Sequence, residues 1–377
     1  MTAPLTPASE AELAEAITVA TAPLSIDGGA TRGVRGAGTP LSTSGLRGIT
    51  LYEPGALTLV AQAGTPLAEV EATLAAEGQR LAFEPLDLRA VLGTTGTPTL
   101  GGAIAANASG PRRIAVGAAR DFLLGVRFVD GLGRVISNGG RVMKNVTGYD
   151  LVKLLAGSWG TLGVLSEVSL KVLPRPETTT TLVLHDLSLR DAVAALSAGL
   201  GSPFEVTGAA HLPETGETLL RIEGQAASTA YRAGRLADTL ASFGAAEMRE
   251  GFDWTPIRDV TGWAQDGPHG GEDIWRLSVK PSDAPALAAR LPEGAALRLD
   301  WGGGLIWVAV PPGTDLRAHL APFAGHATRV RGAASDTIAR LHPEPAAIAA
   351  LSAGIKARFD PRGLLNPGAM GPDQGTG

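Results

Sequence analysis

Two prolines stand two positions apart in Leu173-Pro174-Arg175-Pro176-Glu177, directly after an alternating apolar run at 164–172 and directly before four threonines. Neither a helix nor an interior strand continues through that spacing, because each proline lacks an amide donor and fixes its own φ. The chain is therefore expected to divide there, into domains over 1–176 and 177–350. A length of 377 residues gives each enough apolar material for its own core.

The two halves pattern differently. In the first, Ser9 and Glu12 form a capping box ahead of a helix at 11–20, with Leu13 and Ile17 on one face, and a short strand follows at 24–26. A strand at 57–62, Thr65 as N-cap with Pro66 in the first helical position, a helix burying Leu67, Val70 and Leu74, and a strand at 80–83 read as a βαβ unit. Further on, Asp130-Gly131-Leu132-Gly133 reads as a hairpin turn, and the strand at 164–172 suits antiparallel pairing. Two unlike α+β lobes leave a cleft between them.

Beyond the prolines, strand and helix patterns alternate: 181–184, 189–200, 204–209, 218–222 and 226–242, then 275–279, 284–291, 296–299, 305–310 and 316–322. Few Val/Ile runs and one polar face per strand predict a single antiparallel sheet with helices on one side. The expected fold class is α+β.

Composition excludes several functions. A formal charge of −5 and a pI near 5.7 offer no basic field for a nucleic-acid backbone. With no cysteine, the chain holds no disulfide, no thiolate nucleophile, and no iron–sulfur cluster on its own thiolates. No uncharged apolar run reaches the length of a membrane span, and the start has no signal-peptide pattern, so a cytoplasmic protein is expected. The triplets beginning at Asn107 and Asn145 match the glycosylation pattern and are read as coincidence in that setting.

Candidate chemistry sits on two glycine loops. One is Gly28-Gly29-Ala30-Thr31-Arg32, after a strand; the other is Thr99-Leu100-Gly101-Gly102-Ala103-Ile104-Ala105-Ala106-Asn107-Ala108-Ser109-Gly110. Small residues let backbone amides approach a pyrophosphate, and amides are neutral donors for a charge that must be desolvated. Neither loop is a G-x-G-x-x-G opening a Rossmann helix, and no G-x-x-x-x-G-K-[ST] occurs, which disfavours a nicotinamide site and a P-loop. The nearest cations in sequence are Lys144, Arg112 and Arg113, candidates for charge balance or for solvated surface roles. Tyr149 and Asp150 are read as fixing the turn into a helix at 151–155.

The strings Gly139-Gly-Arg-Val-Met-Lys-Asn-Val-Thr-Gly-Tyr-Asp-Leu151 and Gly157-Ser-Trp-Gly-Thr-Leu-Gly-Val-Leu-Ser-Glu-Val168 resemble the FAD-binding subunits of bacterial glycolate oxidases. Phe359-Asp-Pro-Arg-Gly-Leu-Leu-Asn-Pro-Gly368 is similar to the closing motif of the wider FAD-linked oxidases of the vanillyl-alcohol-oxidase, or PCMH, type. The resemblance implies a two-lobed FAD-binding domain, an antiparallel-sheet cap domain, and a closing segment at 351–377 that returns to the first domain. It implies FAD held by Gly28, Gly29, Ala30, Thr31 and Arg32, and by Gly101, Gly102, Ala105, Asn107, Ser109 and Gly110. Gly160, Gly163 and Val164 would face the adenine side, and Asn366 the isoalloxazine.

All six histidines, His185, His211, His269, His319, His326 and His342, lie after the proline break, so the flavin is expected to be non-covalent. Catalytic relatives resemble one another in a His-x-Gly-x-Gly-Asn-x-His run that supplies metal ligands and a base. The corresponding place here reads Trp301-Gly302-Gly303-Gly304-Leu305-Ile306-Trp307, with no histidine, so no metal and no catalytic residue is assigned. The resemblance then implies an accessory subunit of a glycolate-oxidising complex, with a catalytic FAD-linked oxidase subunit and an iron–sulfur subunit as partners. The 2-hydroxy acid would be met indirectly, and any membrane attachment would be peripheral, through those partners. The alternatives are a self-sufficient 2-hydroxy-acid dehydrogenase and a scaffold with a non-catalytic flavin site.

Overall fold

The computed structural model describes residues 4–141, 149–333 and 338–371. The first domain is built on a five-stranded antiparallel sheet in the order Ile49–Glu53, Thr58–Gln62, Val164–Lys171, Leu123–Val129, Val135–Gly139. The hairpin turn at Asp130 forms as expected: the carboxylate of Asp130 accepts from the amides of Leu132 and Arg134. The helix Glu10–Val19 starts at Ser9, whose hydroxyl accepts from the Glu12 amide. A separate parallel pair, Leu24–Asp27 with Thr39–Ser42, lies beside this sheet.

The expected βαβ unit does not form. The helix Leu67–Ala76 buries Leu67, Val70 and Leu74, but the strand after it shrinks to Gln79–Arg80 and pairs antiparallel with Leu173–Pro174 in its own ribbon. Leu81, Ala82 and Phe83 enter the core without joining a sheet. Thr65 does not cap the helix either. Its hydroxyl accepts from the Gly48 amide and donates to the Gln62 carbonyl, so it closes the turn leaving the strand, and Pro66 takes the cap position.

The second domain holds an eight-stranded sheet, antiparallel throughout. Its order is Glu247–Glu250, Thr178–His185, Glu217–Gly224, Gly208–Leu212, Ala296–Asp300, Leu305–Val310, Asp273–Val279, Gly325–Arg331. Alternation assigns the faces. Leu182, Leu184, Leu220 and Ile222 pack under the helices Leu189–Leu200 and Ala226–Leu240. Val183, Ala210 and Leu219 turn the other way, against Trp254 and Ile257. On that face Ile274, Leu305, Trp307 and Ala309 join the same core as Phe122, Val126 and Phe128 of the first domain.

The chain ends by returning to the first domain. After the helix Ala346–Phe359, the Leu24 amide donates to Leu364, the Asn366 amide donates to Leu24, and Gly131 donates to Phe359. Lys356 locks this strap, donating to the carbonyls of Thr161 and Leu365 and pairing with Asp360, whose carboxylate accepts from the amides of Leu364 and Leu365.

Candidate functional site

A groove opens where the strand Leu24–Asp27 ends, and it gathers residues far apart in sequence. Gly28, Gly29, Ala30, Thr31 and Arg32 line one wall. Gly101, Gly102 and Ala105 of the helix Leu100–Ala105 line another, and Gly160, Gly163, Val164 and Asn366 complete it. Asn107, Ser109 and Gly110 do not line the groove. Asn107, at φ 47°, accepts from the Arg120 amide, and the Ser109 hydroxyl accepts from the Ala119 amide. A Cβ on Gly110 would stand 2.6 Å from the Glu84 carbonyl. These three shape the turn that leaves the helix.

The first loop suits a pyrophosphate. Ala30 at φ 53° and Gly33 at φ 65° turn the backbone, and no amide from Gly28 to Arg32 donates to an acceptor among the described residues. Amides left without an acceptor in this way are free to donate to an anion. The glycines are needed for packing: a Cβ on Gly29 would lie 1.6 Å from the Thr97 carbonyl. The second loop contributes differently, since the Gly101 amide donates to Ala63 and the Gly102 amide to the Thr99 hydroxyl. Its small residues give space instead of donors.

Charge at the groove is arranged by burial. The Arg32 guanidinium donates to the Leu86 carbonyl and is pulled down to about 10 by burial, with Asp87 and Asp259 opposing the shift. Burial pushes the Asp27 carboxyl above its ordinary range, against Ser42 and Arg35. Asn366 sits at φ 45° with its amide committed to backbone: Oδ1 accepts from Ile26 at 2.5 Å, and Nδ2 donates to Ile26 at 3.0 Å and Trp159 at 2.8 Å. It therefore shapes the groove by holding the wall.

Several lining residues were not singled out from the sequence, among them Asp27, Thr43, Ala63, Pro98 and Trp159. Trp159 had a signal, since it adjoins Gly160 inside the second motif. Ala63 had none; it packs against Gly101 through a turn that only the folded sheet creates.

The candidate cations point elsewhere. Arg112 is buried against Glu223 of the second domain, and burial beside Arg80 pulls it down to about 9. Arg113 stacks on Trp301. Lys144 lies outside the described residues. Asp150 caps the helix Leu151–Leu155 by accepting from the Lys153 amide, and the Tyr149 side chain is exposed. The histidines are scattered: His211 is buried on Thr218, His185 pairs with Glu247, His269 with Glu272, and His319 reaches the Arg290 carbonyl. His326 and His342 stand edge to face.

The comparisons with known proteins agree with this geometry. A family model described as an FAD binding domain matches residues 2–139. The fold is similar to alkyldihydroxyacetonephosphate synthase, with a TM-score of 0.72 over 97% of this chain and 77% of that one at 16% identity. Fold and groove thus define an FAD-linked oxidoreductase fold of the PCMH type, with FAD as its cofactor. Among curated relatives, the glycolate oxidase subunit GlcE of Escherichia coli strain K12 is 36% identical over 327 residues, 86% of this chain and 85% of the relative. The glycolate oxidase subunit GlcD of Bacillus subtilis strain 168 is 44% identical over 85 residues, 22% of this chain and 18% of that protein. The chain belongs to the GlcE family. Among the described residues, no helix is long and apolar enough to cross a membrane.

Proposed function

We propose that this chain is the FAD-binding accessory subunit of a complex that oxidises glycolate to glyoxylate, working beside a catalytic FAD-linked oxidase subunit and an iron–sulfur subunit. The observation that carries the reading is the similarity to GlcE over 85% of that protein's length. FAD, when bound, supplies two-electron acceptance and stepwise release. The chain's own residues hold the cofactor: the amides of Gly28 to Arg32 for the pyrophosphate, Gly101, Gly102 and Ala105 for the space beside it, and Gly160, Gly163 and Val164 as the far wall.

A subunit role is also favoured by the helix Ala346–Phe359, which has no buried residue although Ile348, Leu351 and Ile355 form one stripe. These side chains are 47%, 66% and 38% exposed, an apolar surface of the kind that partners cover. The place where catalytic relatives resemble one another in histidines instead forms a turn, Trp301–Gly303, before the strand Leu305–Val310. We assign the complex to the cytoplasm, with any membrane attachment made through the partners.

The test is co-expression with the neighbouring subunits, followed by affinity purification and counting of flavin and iron per chain. One FAD on this chain and iron only in the presence of a cysteine-bearing partner is expected. Glycolate-dependent electron transfer to an external acceptor by this chain alone would overturn the accessory role, and an apoprotein that takes up no FAD would overturn the flavin role.

A further inference from the structure

Two arginines meet at one tryptophan between the domains. The Arg113 guanidinium, from the first domain, lies 4.9 Å from the Trp301 ring centroid, and that of Arg276, from the strand Asp273–Val279, lies 5.0 Å from it. The indole is anchored, its Nε1 donating to the Gly110 carbonyl at 3.1 Å and its backbone amide to the Asp300 carboxylate. Trp301 itself is held at φ 53°. A turn that strains a bulky residue to place its ring between the domains is the kind of arrangement that a binding site retains.

The charges there do not balance within the chain. Among the described residues neither Arg113 nor Arg276 forms an ion pair or a side-chain hydrogen bond, and the Arg276 Nε is sealed from solvent with no partner. Burial, with Arg113 adding to it, pulls Arg276 down to about 10, and Arg113 is lowered by burial and by Arg120, against Asp121. Arginine still keeps its proton at neutral pH, so the penalty remains. Two acids act on the pair from outside contact. Asp121 acts on Arg113 and is itself beside Arg120 and Lys153. Asp300 acts on Arg276, but burial pushes its carboxyl up to about 7, so it offers at most part of a counter-charge. Elsewhere at this interface Arg80, Arg112 and Arg221 at least touch carboxylates, Arg221 on Glu84 at 2.9 Å and Arg80 and Arg112 on Glu223. Two cations with no carboxylate in contact, on one aromatic face, are suited to an external anion.

We propose that Arg113, Arg276 and Trp301 form a carboxylate-binding site for a small 2-hydroxy acid or its 2-oxo product, so that this subunit holds the organic acid itself. Two planar guanidinium forks suit a carboxylate, whose two oxygens each accept a charge-assisted hydrogen bond. The indole supplies a flat wall that limits the occupant's size. The choice of a 2-hydroxy acid rests on the functional reading above; the carboxylate site itself rests only on these side chains.

The experiment uses the FAD-loaded full chain, titrated at constant ionic strength with sodium glycolate, glyoxylate, acetate or inorganic phosphate, followed by calorimetry and tryptophan fluorescence. Saturable binding of glycolate and glyoxylate is expected, weakened roughly 10-fold or more by Arg276→Gln and by Arg113→Gln at unchanged flavin content. A control separates binding from folding. Without ligand, Arg276→Gln should unfold at the same or higher urea concentration than the parent, because an unmatched cation is removed, whereas glycolate should stabilise only the parent. Acetate binding as tight as glycolate would retain the carboxylate site but overturn the 2-hydroxy acid assignment. Preference for phosphate, unaltered glycolate binding in both variants, or destabilisation by Arg276→Gln with no glycolate effect on the parent would overturn the site. Flavin content and partner capture are read separately, so failure here is distinguishable from failure of the accessory-subunit reading.

Discussion

Gly102 offers a clean test of how the groove holds FAD. Its neighbour Gly101 is hemmed in, with the Ala63 Cβ 2.6 Å from where a Cβ would stand, so any substitution there disturbs packing before it touches a ligand. At Gly102, among the described residues outside its own helix, a new Cβ would meet within 4 Å just the Thr99 hydroxyl, at 3.1 Å, and the residue lines the groove. Gly102→Asp therefore adds a negative charge to the cofactor space at little cost to the apoprotein. Two like charges about 5 Å apart in an effective dielectric near 20 repel by about 3 kcal/mol. Allowing for solvent in an open groove, roughly 2–3 kcal/mol remains, or about 30- to 150-fold in FAD affinity. Gly102→Ala supplies the comparison: the Thr99 side chain must yield by a few tenths of an ångström, and affinity should stay within about threefold of the parent. Apoprotein titrated with FAD gives the affinities, and urea unfolding of the apo forms checks the fold. Equal FAD binding by parent and Gly102→Asp would refute the placement of the cofactor. Equal loss in Gly102→Ala would show that packing, not charge, explains the effect.

Four further outcomes follow from the same structure. Asn366→Ala leaves the Ile26 amide without its acceptor and puts an alanine at φ 45°, so a loss of about 3 kcal/mol is expected in urea unfolding; Asn366→Gly should lose about 1 kcal/mol less, and equal losses would remove the backbone contribution. Because burial raises the folded Asp300 to about 7, its protonated form is favoured by folding, and the associated stability is fully present below the unfolded value near 4 and lost as pH rises toward 7. Asp300→Asn should accordingly gain on the parent by about 1–3 kcal/mol between about pH 5 and about pH 8, and a constant difference across that window would contradict the assignment. Arg221, 3% exposed, pairs with Glu84 at 2.9 Å and stacks on Trp254 at 4.8 Å, so Arg221→Ala should cost about 3–5 kcal/mol and shift tryptophan emission to the red; a cost under about 1 kcal/mol would mean the pair is solvated. Leu351→Asp should reduce capture by the partner subunits at unchanged flavin content, and undiminished capture would place the interface elsewhere.

How much the sequence could say differs between the two domains for a physical reason. Glycine loops are local: Gly28 to Arg32 are bound by backbone chemistry of consecutive residues, and that chemistry is written in the residue types themselves. The interior strands of the large sheet were legible too, since Leu182, Leu184, Leu220 and Ile222 alternate with their neighbours and face buried helices. Both outermost strands were missed. Glu247-Met248-Arg249-Glu250 and Gly325-His326-Ala327-Thr328-Arg329-Val330-Arg331 are dominated by charged and small residues, as sheet edges are, and only the neighbour's open backbone recruits them. The failed βαβ unit has the converse cause. Arg80 to Phe83 has strand-like composition, yet extending the ribbon past Arg80 would need Val172, whose amide already donates to Leu57, and the rest is drawn into the core by Leu81 and Phe83.

Least legible was what joins the domains around the cofactor, because it depends on contacts among three distant segments. Trp159 lines the groove at φ 53°, a conformation that costs a residue other than glycine about 1–2 kcal/mol and persists only where its surroundings impose it. The surroundings are specific. Its amide donates to Ala105 of the second loop, its carbonyl accepts from Asn366 of the returning tail, and the Arg340 guanidinium of the second domain lies 4.7 Å from its ring centroid. Arg340 is itself held by Arg317, which donates to the carbonyls on either side of it, Ala339 and Leu341. The groove itself is lined by the first domain and by Asn366 of the tail, while Arg340 of the second domain covers the Trp159 ring, so this wall of the groove is where a shift of the second domain would be felt.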